Sequence, residues 1–269
     1  MIELEKKARN IRKNIVEMVY SAASGHPGGS LSITDVLTTL YFKELNVDVK
    51  DPKNENRDRV VLSKGHCSPA LYATLAEKGF IPEEDLKTFR KIDSYLQGHP
   101  DMKKIPGVDM TSGSLGQGLS VANGMALAAK LDKKDYRVYC IMGDGEIQEG
   151  QVWEAAMSSC HYKLDNICVI VDNNNLQIDG SVDTVMNPYP IDKKFESFGF
   201  NVLVIDGHNY EKIIKAFETA RNTKGKPTAI IAKTTKGRGV SFMENQAGWH
   251  GKAPNEEQYN IAMGELKGE

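Results

Sequence analysis

Oxygen-bearing side chains follow two apolar segments of this sequence, about thirty residues apart. Asp144 stands between two glycines after the apolar run RVYCIM (137–142), and Asn174 follows the next run, NICVIVDN (166–173). One helix and one strand fit in that interval, so the ends of two adjacent parallel strands would bring both side chains together. The Asp144 carboxylate, the Asn174 side-chain oxygen and the main-chain carbonyl of Leu176 would then present three hard oxygen ligands. Such a set suits Mg²⁺, which prefers octahedral oxygen coordination and shares its shell with phosphate and water.

The glycines on either side of Asp144 let a ligand approach the main chain closely and leave amide N–H groups free to face an anion. Taken alone, the GDG tripeptide is also typical of a plain strand-to-helix turn, and an asparagine-rich loop often holds Asn in turn conformations. The spacing between GDG and the loop NNNL (173–176) is what favours a metal site over these alternatives.

The elements that must position these residues alternate between strand and helix. Apolar residues at steps of three and four predict a first helix from Leu4 to Ala22, and the segment SGHPGGS (24–30) is predicted to break it. Further helices are predicted over 32–45, 67–79, 149–162 and 210–222, and the segment 113–131 is predicted to be a glycine-rich turn that runs into a helix. Strands are predicted over 59–63, 137–142, 166–173, 201–206 and 227–234. Because the strands are continuously apolar, this order predicts an α/β fold, a mostly parallel sheet with helices on both faces.

The composition excludes several classes of function. The formal net charge of the 269 residues is -2 and the pI about 6.3, which indicates no surface for nucleic acid or acidic lipid. Four cysteines without a CxxC pair are typical of reduced thiols in a cytosolic protein. The N-terminus is too charged for a signal peptide, and no apolar run could span a bilayer, so we expect a cytoplasmic protein without membrane contact. The glycine-rich segment 237–254 fits either a functional loop or a solvated connector.

Beyond GDG and the asparagine loop, short motifs recur along nearly the whole chain. In chain order they are SGHPGG (24–29), SKGH (63–66), GHPD (98–101), GSLGQG (113–118), GDGEIQEG (143–150) and WHGKAP (249–254). Together they resemble transketolase, a family of thiamine diphosphate enzymes, over about residues 10 to 255. The resemblance implies the thiamine-diphosphate-binding fold, with a single diphosphate-binding domain over residues 1–269.

The resemblance also implies a bound cofactor, thiamine diphosphate with Mg²⁺ or another divalent cation such as Ca²⁺ or Mn²⁺. The metal ligands would be Asp144, Asn174 and the carbonyl of Leu176. Gly145 and His66 would contact the diphosphate of the cofactor, and Gly113, Ser114 and Leu115 would lie beneath its ring. Asn174, Lys236 and His250 would also contact the cofactor. Glu149 would cross towards a second active site at a subunit interface. Two of these have plain alternatives, since Lys236 can equally be an exposed side chain and Glu149 a helix N-terminal charge favoured by the dipole.

The motifs contain four of the six histidines, namely His26, His66, His99 and His250. By the resemblance, His26 and His250 would handle the donor hydroxyl whose deprotonation drives carbon–carbon cleavage. His99 would bind the hydroxyl at the end of the transferred fragment. Neutral imidazoles suit such proton transfer near neutral pH. His161 and His208 match no motif and are interpreted as structural or surface residues.

Full-length transketolases continue with a pyrimidine-binding domain and a third domain, for which 269 residues leave no room. The resemblance therefore implies the N-terminal subunit of a split transketolase, whose partner chain carries both domains, in an α₂β₂ assembly. Its implied reaction is the transfer of a two-carbon ketol unit from a ketose phosphate such as xylulose 5-phosphate to an aldose phosphate such as ribose 5-phosphate.

Three alternatives remain open at this point. The chain could be the α subunit of a 2-oxo-acid dehydrogenase or a similar half-enzyme, although His26 and His99 have no evident purpose in that chemistry. It could be a non-catalytic binding or regulatory protein that keeps the fold, although the intact motif residues argue against decay. A nicotinamide-binding protein is disfavoured because no strand precedes GSLGQG with the required glycine spacing.

Overall fold

Strands and helices alternate along most of the chain in the computed structural model, which describes residues 1–267. The helices are α1 (Ile2–Ser21), α2 (Pro27–Thr39), α3 (Ser68–Lys78), α4 (Gly118–Leu131), α5 (Gly150–His161), α6 (Val182–Val185), α7 (Ile191–Phe198), α8 (Tyr210–Asn222) and α9 (Glu256–Lys267). The strands are β1 (Arg59–Leu62), β2 (Val138–Gly143), β3 (Ile167–Asn173), β4 (Leu176–Gln177), β5 (Gly180–Ser181), β6 (Asn201–Asp206) and β7 (Thr228–Lys233). Every helix and strand that the sequence predicted is present; β6 and α8 have the predicted ends, and the others are shifted.

Five strands form one parallel sheet in the order β1-β2-β3-β7-β6. Strands β2 and β3 are neighbours, with Gly143 opposite Asp172 at their carboxyl ends. The short antiparallel pair β4 and β5 follows β3 directly. In a parallel sheet all carboxyl ends open at one edge, where ligands bind in α/β proteins. The loops after β1, β2, β3 and β7 therefore meet at that edge.

Helices cover both faces of the sheet, which confirms the predicted fold class. One core joins α1, α2, α3, α8 and α9 to residues such as Ile141 and Ile170 on one face. The other core joins α4, α5 and α7 to residues such as Cys140 and Val169 on the opposite face. Both faces of β3 are buried, which explains why its sequence is apolar without alternation. In residues 1–267 no helix combines the length and apolarity needed to cross a membrane.

The second helix begins earlier than the sequence indicated. Its prediction started at residue 32, but α2 begins at Pro27, inside the segment expected to break the first helix. Proline suits the first helical position because its missing N–H needs no partner there. A Cβ on Gly28 would lie 2.8 Å from the carbonyl oxygen of Trp249, so glycine is required by packing at this helix start.

The apolar pattern of the sequence predicted neither α7 nor α9. Helix α9 buries only Ala262 and Leu266, so its apolar pattern is weak. It is held by tertiary contacts instead, since Tyr259 stacks on Tyr20 of α1 with ring centroids 4.1 Å apart. The segment 237–254 is irregular apart from a short 3₁₀ turn, Ala247–Trp249, as expected.

Candidate functional site

The carboxyl ends of β2 and β3 place Asp144 beside the asparagine loop. The amide of Asp144 donates to the carbonyl of Asp172 at 3.2 Å, so the chain past β2 stays next to β3. The Asp144 side chain is 2% exposed. One of its carboxylate oxygens accepts from the Gly145 amide at 2.9 Å, and the other accepts from Asn173 Nδ2 at 2.9 Å and the Asn175 amide at 2.5 Å. These donors fix the carboxylate at the edge of the sheet.

Asn174 is oriented by the groups behind it. Its Nδ2 donates to Ser32 Oγ at 3.1 Å and faces a carboxylate oxygen of Asp172 at 3.4 Å. The amide oxygen is therefore directed the other way, and Asn174, Asp144 and Leu176 line one cavity of about 320 Å³. The carbonyl of Leu176 accepts from Lys236 Nζ at 3.1 Å. The sequence spacing thus correctly predicted that the three oxygen-bearing residues meet.

The donor set in this cavity fits a divalent cation. Burial raises the pKa of Asp144 to about 6, despite the hydrogen bond from Asn173. None of the ion pairs found in residues 1–267 involves Asp144. Over the same residues no three His, Cys, Asp or Glu side chains group as metal ligands. A buried carboxylate together with an amide oxygen and a carbonyl matches the preferences of Mg²⁺, and a cation there would compensate the buried charge.

Three of the motif histidines form a cluster on the wall of the same cavity. The ring centroids are 5.2 Å apart between His26 and His66, 5.4 Å between His26 and His250, and 5.1 Å between His66 and His250. Burial is the main cause that lowers the pKa of His26 and His66 to about 4 and that of His250 to about 3. Nearby cationic side chains lower all three further, and neighbouring imidazoles add to the effect on His26 and His250. All three imidazoles are therefore neutral at pH 7.

Lys236 connects the cluster to the oxygen ligands. It is 2% exposed, and its Nζ lies 3.1 Å from the Leu176 carbonyl and 3.0 Å from His250 Nδ1. An ammonium group only donates, so the proton of neutral His250 sits on Nε2. Burial lowers the pKa of Lys236 to about 8. The sequence left open whether Lys236 is exposed, and the structure shows that it is buried in the cavity wall.

The histidine cluster predicts a loss of stability in mild acid. In the unfolded chain these histidines bind protons near pH 6.5, whereas in the folded chain they stay neutral until about pH 4. The unfolded state therefore binds more protons between these values, and the free energy of unfolding falls as the pH drops from about 6.5 to 4. The pKa of His99 is also lowered by burial and adds to this loss, whereas Asp144, Asp58 and Glu146, whose pKa values burial raises, offset part of it. Urea unfolding of the ligand-free chain at several pH values measures the slope.

The control for this prediction is a variant in which His26, His66 and His250 are all replaced by glutamine. Its stability should vary less with pH in that window, and the exposed His161→Gln change should leave the slope as in the wild type. An equal slope in the triple variant and the wild type would contradict the assignment. Asp35 and Asp172, whose pKa values are lowered in the folded chain, contribute mainly below about pH 4, where the unfolded chain binds protons on these carboxylates before the folded chain does.

The remaining predicted site residues divide into two groups. His99, Gly113, Leu115 and Gly145 line the cavity with the residues above. Ser114 and Glu149 are exposed and do not line it. Glu149 packs instead under the glycine-rich turn: a Cβ on Gly116, which has φ +81, would lie 2.6 Å from Glu149 Cβ. The contacts of Ser114 and Glu149 with a cofactor stay predictions.

Two buried charged residues at the site were not among those predicted from the sequence. Lys64 Nζ lies 2.5 Å from a carboxylate oxygen of Asp172, with 3% and 0% of the two side chains exposed. Glu146 is 4% exposed and accepts from Ser63 Oγ, from the Gly116 amide at 3.0 Å and from the Gly143 amide at 3.0 Å. Lys64 stands in SKGH and Glu146 in GDGEIQEG, so the motifs held both signals.

Known proteins that resemble this chain include some about as long as it is and some more than twice as long. One subunit of the apulose-4-phosphate transketolase of Phocaeicola vulgatus is 48% identical over 98% of this chain and 93% of its own length. The 6-deoxy-6-sulfo-D-fructose transketolase subunit SqwG of a Clostridium species is 45% identical over 100% of this chain and 98% of its own length. Human transketolase is 44% identical over 93% of this chain, which spans 40% of the human protein.

Solved structures of transketolases also resemble this chain. The transketolase of Campylobacter jejuni superposes with a TM-score of 0.93 and 38% identity over 99% of this chain, which spans 43% of that protein. The transketolase of Pichia stipitis in complex with sedoheptulose 7-phosphate gives a TM-score of 0.94 at 31% identity over 98% of this chain, which spans 40% of that protein. Residues 4–266 match the family described as the thiamine diphosphate binding domain of transketolase. The chain therefore belongs to the transketolase family and corresponds to the thiamine-diphosphate-binding domain of these enzymes.

Proposed function

We propose that this chain holds the diphosphate half of thiamine diphosphate, with Mg²⁺, in a two-chain transketolase that transfers a two-carbon ketol unit. The observation that carries this proposal is the convergence of His26, His66 and His250 with Asp144 and Asn174 on one cavity. The oxygen ligands account for a metal and diphosphate but not for three neutral imidazoles. Neutral imidazoles beside a cofactor site suit a substrate rich in hydroxyl groups.

The cofactor, when bound, supplies the carbon nucleophile and the electron sink for carbon–carbon cleavage. The residues of this chain would orient it and move protons. Asp144, Asn174 and the Leu176 carbonyl would hold Mg²⁺, and the metal and Lys236 would neutralise the diphosphate. His250, protonated at Nε2, and His26 would exchange protons with the donor hydroxyl. His26 Nδ1 is buried without a hydrogen-bond partner in the part of the chain that the structure describes, which fits a role towards a ligand.

We propose ketose phosphates such as xylulose 5-phosphate as donors and aldose phosphates such as ribose 5-phosphate as acceptors. The relatives named for apulose 4-phosphate and for 6-deoxy-6-sulfo-D-fructose extend the set of sugars worth testing. The family match favours this reaction over that of a 2-oxo-acid dehydrogenase. A non-catalytic binding protein is the second candidate, and it predicts cofactor binding without sugar turnover.

We also propose that a second chain completes the site in an α₂β₂ assembly. Two relatives are each named as one subunit of an apulose-4-phosphate transketolase. This chain matches them over nearly their whole length, which supports a separate partner chain. Leu115 lines the cavity and is 39% exposed, and we propose that this apolar side chain meets the partner. The four cysteines are free thiols, which fits a cytoplasmic location.

A tagged pull-down of this chain from its source lysate, with thiamine diphosphate and Mg²⁺ present, tests the partner. We expect a co-purifying chain of a few hundred residues, roughly two domains in size, whose sequence carries a pyrimidine-binding domain. Recovery of this chain alone, at all concentrations tested, would contradict the two-chain proposal.

His99 gives a test of the sugar-binding role. It lines the cavity beside Gly113, whose added Cβ would lie 3.3 Å from the His99 ring. His99→Ala in the two-chain enzyme is expected to raise the Michaelis constant of the donor sugar about tenfold, the cost of one substrate hydrogen bond. The dissociation constant of thiamine diphosphate should stay within about twofold. Steady-state kinetics with His161→Ala as control measures both, and the reverse pattern would contradict the role.

A further inference from the structure

A network of polar side chains, buried at its centre, lies outside the cavity, and none of its residues lines the cavity. We call it the Asp35 network, formed by Arg12, Asp35, His208 and Tyr210. Arg12 donates to both carboxylate oxygens of Asp35, at 2.9 and 2.8 Å, and the Tyr210 hydroxyl donates to one of them at 2.7 Å. Burial would raise the pKa of Asp35, but Arg12 and the surrounding hydrogen bonds hold it well below its usual range. Asp35 is therefore a fixed anion.

The hydrogen bonds of His208 define its protonation state. Its Nδ1 lies 2.7 Å from a carboxylate oxygen of Asp35, and its Nε2 lies 2.8 Å from the amide nitrogen of Thr235. A backbone amide only donates, so Nε2 must be unprotonated. The single ring proton is then on Nδ1 and is donated to Asp35. His208 thus acts as a neutral, oriented acceptor for one main-chain N–H group.

The amide that His208 holds belongs to the residue directly before Lys236. The neighbouring amides are also fixed, since Thr234 donates to the Asn173 carbonyl at 3.2 Å and Gly237 donates to the Gly28 carbonyl at 2.9 Å. Without His208, the Thr235 N–H would lose its partner in the middle of this segment, a cost comparable to a lost buried hydrogen bond. Thr235 and Lys236 are consecutive residues, so the fixed amide of Thr235 lies directly before the residue whose side chain reaches the cavity.

We propose that His208 is a positioning residue, which fixes the main chain at Thr235 and thereby aims the Lys236 amine at the diphosphate of the cofactor. This inference rests on the proposed contact between Lys236 and the diphosphate. It gives a specific role to His208, which matched no motif and was interpreted as a structural or surface residue. His208 does not line the cavity, so its effect on ligand affinity is indirect, and the shortest route along the chain from Thr235 to the cavity is through Lys236.

A double-mutant cycle on the full chain tests this inference. Calorimetry gives the dissociation constant of thiamine diphosphate with saturating Mg²⁺ for the wild type, His208→Ala, Lys236→Met and the double variant. His208→Ala is expected to weaken binding about tenfold in the wild-type background. In the Lys236→Met background the same change should weaken it less than about twofold, because the group that His208 aims is gone.

Tyr210→Phe is the matched control. It removes one hydrogen bond from Asp35 but no atom that contacts Thr235, so it should lower the stability of the chain without changing the affinity. If His208→Ala does not fold, the cycle is run with His208→Gln, whose amide keeps one donor and one acceptor and should show a smaller, equally Lys236-dependent effect. Urea unfolding monitors the fold of each variant.

The cycle separates the inference from the proposal on which it rests. A loss of affinity in Lys236→Met together with a non-additive His208 effect supports both. A loss in Lys236→Met with an additive or absent His208 effect overturns the positioning role alone. Unchanged affinity in Lys236→Met overturns the contact between Lys236 and the diphosphate, and the positioning role with it.

Discussion

Replacing Asp144 with asparagine is expected to abolish the Mg²⁺-dependent binding of thiamine diphosphate. The substitution keeps the shape of the side chain but removes the one negative charge among the proposed metal ligands, Asp144, Asn174 and the Leu176 carbonyl. Loss of a group that only orients a metal ligand typically costs about 10–100-fold in affinity, so losing the charged ligand itself should cost more than about a hundredfold.

Calorimetric titration of thiamine diphosphate with and without Mg²⁺ measures this effect. The wild type should bind much more tightly with the metal, and Asp144→Asn should show the same weak affinity in both conditions. Asp183→Asn, an exposed carboxylate on α6, is the control and should bind as the wild type does. Unchanged Mg²⁺ dependence in Asp144→Asn would show that the metal lies elsewhere.

Among the single substitutions proposed here, Lys64→Met is expected to cause the largest loss of unfolding free energy. Burial alone would lower the pKa of Lys64, but Asp172 raises it, so the two form a charged pair inside the protein. Asp172 also accepts from Ser32 and Thr234, yet without Lys64 its charge would be buried without a cation beside it. Breaking a buried pair in this way costs about 3–5 kcal/mol of unfolding free energy.

The control for Lys64 is the exposed pair of Lys193 and Glu196, whose side chains are 65% and 45% exposed. Lys193→Met should change the free energy of unfolding by no more than about 0.5 kcal/mol, as is usual for surface pairs. Urea denaturation of the ligand-free chain compares the two variants. Equal stability of Lys64→Met and Lys193→Met would mean that the buried pair contributes nothing.

The strand ends could be predicted from sequence because they depend on local patterns. Apolar runs predict β2 and β3, and parallel pairing of neighbours then brings Asp144 and Asn174 together. The first helix does end before SGHPGGS, as predicted, but the predicted start of the second helix at residue 32 was wrong, because both Pro27 and the packing of Gly28 against Trp249 favour a helix start inside this segment. The latter depends on a contact between residues far apart in the sequence.

The parts of the site that the sequence did not predict depend on long-range pairing. Lys64 and Asp172 are far apart in the chain, and so are Asp35 and His208. Single charged residues in a sequence give no sign of the partner that they meet after folding. His208 in particular matched no motif, although its position in a buried network is defined by contacts with Asp35 and Thr235.

The most direct test of the proposed function is a two-carbon transfer assay with this chain alone and with its co-purified partner. The donor is xylulose 5-phosphate and the acceptor ribose 5-phosphate, with thiamine diphosphate and Mg²⁺ present, and mass spectrometry detects the products. We expect no turnover by either chain alone and, for the pair, an acceptor lengthened by two carbons. Full turnover by this chain alone, or cofactor binding by the pair without transfer from any of the sugars named above, would contradict the proposal.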